Sequence, residues 1–148
     1  LIEPFVESDA QMGTLKRAIT STDDLLNPAV IKVVTDQQGQ ALYFSRAPIP
    51  LVRDDPGRRA MEGLHYIHLG VYIYTREVLL NVAALPTGVL EDAEKLEQLR
   101  ALEYRIPIRV WETKHESLRV DTPADAVSVS ETLRQLELSR KVHTSIRS

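Results

Sequence analysis

Apolar positions along this chain change period several times, and each change predicts an element. Leu1, Ile2, Phe5 and Val6 recur at helical spacing, so a helix is already under way at the first residue and ends near Ser8–Asp9. Residues 12–19 are expected to be a short strand. Residues 20–27 read as a polar loop with a helical turn at Thr22, Asp23 and Asp24. The run from Val30 to Val34 is β-branched and apolar, and Gly39 supplies the positive φ of a hairpin turn. Residues 41–46 then return as the antiparallel partner. Residues 47–63 mix proline, glycine and charge and predict a loop.

The clearest strand covers residues 66–75. Its alternation puts Tyr66, His68, Gly70, Tyr72 and Tyr74 on one face and Ile67, Leu69, Val71 and Ile73 on the other. The aliphatic face is expected to be core, leaving the face with hydroxyls and an imidazole for a ligand or a partner strand. A short helix over 76–85 stops before Pro86. A longer one over 90–104 carries Leu90, Ala93, Leu96, Leu99 and Leu102 along one stripe. Residues 107–111 predict another strand. After it, Thr122 as N-cap, Pro123 at the first helical position and Asp125 three residues past the cap predict a helix running to about Leu138. Alternating helices and strands with one inserted hairpin make a layered α/β domain with a mixed sheet.

Composition narrows the chemistry. In 148 residues, 43% are hydrophobic and 26% charged, ordinary values for a globular protein. A net charge of −3 gives no basic footprint for nucleic acid; Arg53, Arg58 and Arg59 cluster, but Asp54 and Asp55 sit among them. The absence of cysteine removes disulfides, thiolate metal sites and a cysteine nucleophile. No apolar run is long enough to cross a bilayer and no secretory signal opens the chain, so the expected location is the cytoplasm. His65 and His68, three apart on a strand, point to opposite faces and do not share a metal, and His115 and His143 stand alone. Neither G-x-S-x-G nor a Walker motif is present.

Five places remain. Asp121 follows a strand and precedes a helix N-terminus, where α/β sheets present ligand-binding groups. Its oxygens suit a hard cation such as Mg²⁺, or simply the helix dipole. His68 and Tyr72 share a face about 13 Å apart at the backbone; they bracket a polyhydroxylated ligand or line a sheet edge or dimer contact. Arg46 ends the hairpin strand, with a fork that fits a carboxylate or faces solvent. Glu97 and Gln98 line the same cleft or face solvent.

Four segments resemble the CMP-Kdo synthetase family (3-deoxy-manno-octulosonate cytidylyltransferases), in its order and spacing. They are Asn27-Pro-Ala-Val-Ile-Lys-Val-Val34 with Ala41-Leu-Tyr-Phe-Ser-Arg-Ala-Pro-Ile-Pro50, the strand His68-Leu-Gly-Val-Tyr-Ile-Tyr74, the helix Leu90-Glu-Asp-Ala-Glu-Lys-Leu-Glu-Gln-Leu-Arg100, and Val120-Asp-Thr-Pro123. The resemblance covers about residues 10–135. It implies the C-terminal part of a nucleotide-diphospho-sugar-transferase-like (Rossmann-like) fold, so that residues 1–148 form a single partial domain without the N-terminal CTP-binding part. It also implies transfer of CMP from CTP to the anomeric hydroxyl of 3-deoxy-manno-octulosonate (Kdo), with release of pyrophosphate, for lipopolysaccharide biosynthesis.

By the same resemblance Asp121 is a catalytic metal ligand for Mg²⁺, and Arg46, His68, Tyr72, Glu97 and Gln98 bind the sugar acid. The protein is expected to be a homodimer, built in part through the hairpin. The family's Gly-rich basic loop and its Gly-Asp-Glu-Pro segment are absent, so this chain alone is expected neither to bind CTP tightly nor to turn over. Ile67 stands where the family has Arg, and Arg119 where it has Gly. The alternatives are a cytidylyltransferase for another ulosonic acid, such as sialic acid or an amino-Kdo analogue, and a non-catalytic dimerisation module.

Overall fold

In the computed structural model, which describes residues 1–55 and 59–114 together with Ser130, the elements run in chain order. They are α1 (Ile2–Val6), β1 (Met12–Ala18), α2 (Thr22–Leu26), β2 (Lys32–Thr35), β3 (Ala41–Ser45), β4 (Tyr66–Tyr74), α3 (Arg76–Ala84), α4 (Val89–Glu94), α5 (Gln98–Glu103) and β5 (Arg109–Glu112). The expected helix over 122–138, with its Thr122, Pro123 and Asp125 cap, lies outside the described residues except for the helical Ser130, and Asp121, His115, His143 and Arg119 lie outside them too.

The hairpin forms as expected. Gly39 takes φ +78°, the Asp36 carboxylate accepts from the amides of Gln38 and Gln40, and β2 and β3 pair antiparallel. The sheet order is β3-β2-β4-β1-β5; β1 runs antiparallel to β4 and parallel to β5, so the sheet is mixed. The tip of the hairpin bonds to β5 at the far edge: the Ala41 amide donates to Ile108 and the Val110 amide to Gly39, both at 2.8 Å. These contacts curl the sheet around the core.

That core corrects the expected facing of β4. Met12, Val33, Phe44, Val78, Leu96, Leu99, Ile108 and Val110 form the buried cluster, and Tyr66, Tyr72 and Tyr74 pack against it. Helices α4 and α5 thus cover the tyrosine–histidine face. On the other face Val71 is 51% exposed. The reason is a bulge: Thr14 pairs with Tyr72 but Leu15 pairs with Leu69, so Gly70 and Val71 have no partner on β1. The aromatic rings bring the larger apolar area to the main cluster, while on the aliphatic face Leu69 is buried as expected and Ile67 and Ile73 are half-buried. The aliphatic face has its own smaller contact, where Phe5 of α1 meets Trp111 edge-on with ring centres 6.3 Å apart. Trp111 lies so close over Gly13 that any Cβ there would strike its ring.

The helix expected over 90–104 is two helices. Lys95 turns left-handed at φ +53° and ends α4, and Leu96 drops into the core. Leucine periodicity does not register this break, which Arg46 meets from just beyond β3. Its guanidinium takes the carbonyls of Glu94 and Lys95, which a continuous helix would have kept for its own amides.

Candidate functional site

The break between α4 and α5 sets Glu97 and Gln98 at the start of a helix that faces the aromatic row of β4. Gln98 is buried and Glu97 exposed. Along β4, His68 and Tyr72 have ring centres 5.3 Å apart and Tyr72 stacks on Tyr74 at 5.8 Å. The backbone spacing of about 13 Å expected for four strand residues therefore misstates the side chains, which lean together across the bulge. Phe44 meets the His68 ring edge-on at 4.9 Å, and His68 is only 4% exposed.

Tyr72 is the unusual member of the row. Its hydroxyl is buried and has no hydrogen-bond partner among the described residues. Burial pushes its phenol well above the ordinary tyrosine range, with Tyr74 and the charge of Glu97 adding to the effect. Tyr74 shifts the same way, again chiefly by burial and then through Glu97. A buried hydroxyl left unpaired costs about 1–3 kcal/mol, so this one is a standing donor for something that enters. Beside it lies a cleft of about 190 Å³ lined by Met12, Tyr74, Leu79, Glu97, Gln98 and Arg100.

Arg46 stands at the same corner. Its side-chain nitrogens donate to the carbonyls of Glu94 (2.7 Å), Pro28 (3.1 Å) and Lys95 (3.4 Å). A guanidinium has five N–H donors, so these three bonds leave two. The Arg46 amide and the Ser45 hydroxyl are both taken by the Glu94 carboxylate, at 3.0 and 2.6 Å. Of the expected residues, Glu97 and Gln98 line the cleft, His68 and Tyr72 lie in the aromatic row that Tyr74 joins to it, and Arg46 is held at the turn between α4 and α5. Ile67 pairs with Lys32 and Arg17 on the opposite face, away from that group.

Two residues that the sequence reading passed over shape the corner. Lys32 has no exposed surface, and its ammonium donates to the carbonyls of Asn27, Val30 and Arg46 at 2.9, 2.6 and 2.6 Å. Burial lowers its pKa, opposed by nearby Glu94 and aided by Arg46. A lysine interrupting the apolar run Val30-Ile31-Lys32-Val33-Val34 was the available signal. Thr14 meets the His68 ring from β1, 54 residues away in sequence, and nothing local marks it.

His65 is structural. Its Nδ1 accepts from the Met61 amide and its Nε2 donates to the Pro50 carbonyl, fastening the loop after β3. An apolar hollow of about 250 Å³ in that loop is lined by Leu25, Pro48, Pro50, Leu51 and Val52, far poorer in polar groups than the β4 corner. Among the described residues no group of three or more His, Asp or Glu could hold a metal ion. No described helix is long and apolar enough to cross a membrane.

The sequence model of the cytidylyltransferase family matches residues 1–110. The chain belongs to the cytidylyltransferase family. It is 50% identical over 140 residues to the 3-deoxy-manno-octulosonate cytidylyltransferase of Geobacter sulfurreducens, covering 90% of this chain and 56% of that one. It is 51% identical over 124 residues to the enzyme of the same name from Solibacter usitatus, covering 84% and 48%. Among solved structures it matches a CMP:2-keto-3-deoxy-manno-octonic acid synthetase complexed with CTP. The TM-score is 0.80 at 37% identity, over 91% of this chain and 54% of that one. The cytidylyltransferase chain described here thus spans about half the length of the curated relatives it matches, and its mixed α/β sheet is the fold of that solved relative.

Proposed function

We propose that these residues carry the sugar-acid half of a cytidylyltransferase that joins CMP to 3-deoxy-manno-octulosonate. In that reaction the anomeric hydroxyl of the sugar acid attacks the α-phosphate of CTP and pyrophosphate leaves, a step governed by positioning and charge rather than covalent catalysis. The observation that carries the reading is the buried, unpartnered Tyr72 hydroxyl beside Glu97 and Gln98. A polyhydroxylated acid satisfies each group there. Tyr72 donates to a sugar hydroxyl, Glu97 accepts from one, and the amide of Gln98 does either. The two N–H groups that Arg46 keeps take the carboxylate. His68 closes the aromatic side. Family membership and the relatives named above support the reaction class, and Ile67, on the opposite face, leaves the Kdo reading intact.

The nucleotide would be held by the half of the relatives that this chain does not span, so residues 1–148 alone would not turn over. Asp121 would hold Mg²⁺, which when bound screens the phosphate charge of CTP. We place the intact protein in the cytoplasm as a homodimer. Leu42 on the edge strand β3 and Leu51 just beyond it, 61% and 70% exposed, are the apolar contacts on offer near the hairpin.

The test is pyrophosphate release by the intact protein with CTP, Mg²⁺ and Kdo. We expect Asp121→Ala to lower kcat by two orders of magnitude or more, as the loss of a metal ligand on the reacting phosphate would. No release from the unaltered protein with Kdo would overturn the assignment, and full activity in the variant would remove Asp121 from the metal site.

A further inference from the structure

Thr14 lies opposite Tyr72 where Gly70 and Val71 bulge from the β1–β4 ladder, and it has no exposed surface. Its hydroxyl oxygen is within reach of three atoms: the Val71 carbonyl at 2.8 Å, the Leu69 carbonyl at 3.1 Å and His68 Nε2 at 3.0 Å. A threonine hydroxyl has one hydrogen to give and two lone pairs to offer. Both carbonyls can only accept, so the hydrogen goes to them, and Val71 is the nearer. An imidazole nitrogen takes either role, and beside this oxygen the role left to it is donor.

We infer that Thr14 is a positioning residue that fixes neutral His68 as its Nε2–H tautomer, leaving Nδ1 as the nitrogen with the lone pair. Phe44 and Tyr72 pack against the ring at 4.9 and 5.3 Å between centres, and Thr14 sets its hydrogen. The same hydroxyl ties the ring to the bulge that carries Tyr72, so the orientation of one and the protonation of the other are fixed together. The inference gains its functional meaning from the sugar-acid reading above. A sugar hydroxyl that meets the neutral ring does so as a donor to Nδ1, and a group that only accepts gains nothing from it.

The experiment is a two-bond ¹H–¹⁵N correlation spectrum of the intact ¹⁵N-labelled protein, with the His68 ring assigned by its loss in His68→Gln. We expect the Nε2–H pattern in the unaltered protein and in Thr14→Ser, which keeps the hydroxyl. We expect Thr14→Val, which has the same shape without it, to show both tautomers. An Nδ1–H pattern in the unaltered protein or in Thr14→Ser would overturn the inference, as would an unchanged Nε2–H pattern in Thr14→Val. The first two spectra decide the matter even if the valine variant does not fold. Adding Kdo and CTP separates the two readings. A shift at Nδ1 supports both, whereas the Nε2–H pattern without any shift supports the role of Thr14 and counts against the sugar-acid site.

Discussion

A lysine with no exposed surface usually signals a partner carboxylate, but Lys32 sits among three carbonyl oxygens instead. It joins the loop before β2 to the end of β3 and so sets where Arg46 begins. Lys32→Met keeps most of the volume and strands the Val30 and Arg46 carbonyls. The expected loss is about 2–4 kcal/mol, read as a lower urea midpoint at unchanged slope. Tyr72 behaves in the opposite way. Without ligand, Tyr72→Phe removes a buried unpaired hydroxyl and should stabilise the protein by about 1 kcal/mol. The cost falls on function, as an increased KM for the sugar acid.

Alkaline pH tests the same phenol. Its folded pKa is raised, so the folded state keeps a proton that the unfolded chain gives up near its ordinary value of about 10. The contribution is complete below pH 10 and is lost as pH rises beyond it. The stability difference between the unaltered protein and Tyr72→Phe should therefore shift against the unaltered protein between pH 9 and 11; a constant difference would contradict the buried placement. His68 and Tyr72 were legible as a pair from period two alone. That they face the core rather than away from it was not, because a bulge and two covering helices decide it.

At the scale of elements, the α4–α5 corner depends on contacts that cross between helices. The Glu103 carboxylate of α5 accepts from the amides of Leu90 and Glu91 at the start of α4, and Glu91 holds Arg100 at 2.7 Å. Hydrogen bonding from Arg100 keeps the Glu91 carboxyl below its usual range. Gly88 lets Glu103 come this close, since any Cβ there would strike the carboxylate. Gly88→Ala should cost about 1–3 kcal/mol by displacing that cap. Adding Glu103→Ala should cost less than the sum of the two single changes, which a double-mutant cycle in urea would show.

This corner also explains what the sequence could and could not convey. Of the stripe from 90 to 102, Leu96 and Leu99 are buried and Leu102 half-buried, whereas Leu90 and Ala93 on α4 are exposed. The left-handed Lys95 just before them is met by Arg46, a contact that no local pattern in the helix encodes. The hairpin, by contrast, was readable to within two residues at each strand end, because Asp36 and Gly39 carry its turn within five positions.

Across the whole molecule, the sheet order β3-β2-β4-β1-β5 brings residues from both ends of the described chain onto one face. Period and turn chemistry predict a mixed sheet but not its order, since strand pairing over 54 residues leaves no trace in either strand. Motif resemblance supplied what periodicity lacked, and the family match over residues 1–110 agrees with it. The central claim is that this half of the protein grips the sugar acid and leaves the nucleotide to the other. Steady-state kinetics of the intact protein test it most directly, with Kdo and CTP varied in turn and Gln98→Ala beside the unaltered form. The account predicts a KM for Kdo about tenfold higher in the variant, with the KM for CTP unchanged. An equal rise in both, or a rise for CTP alone, would contradict it.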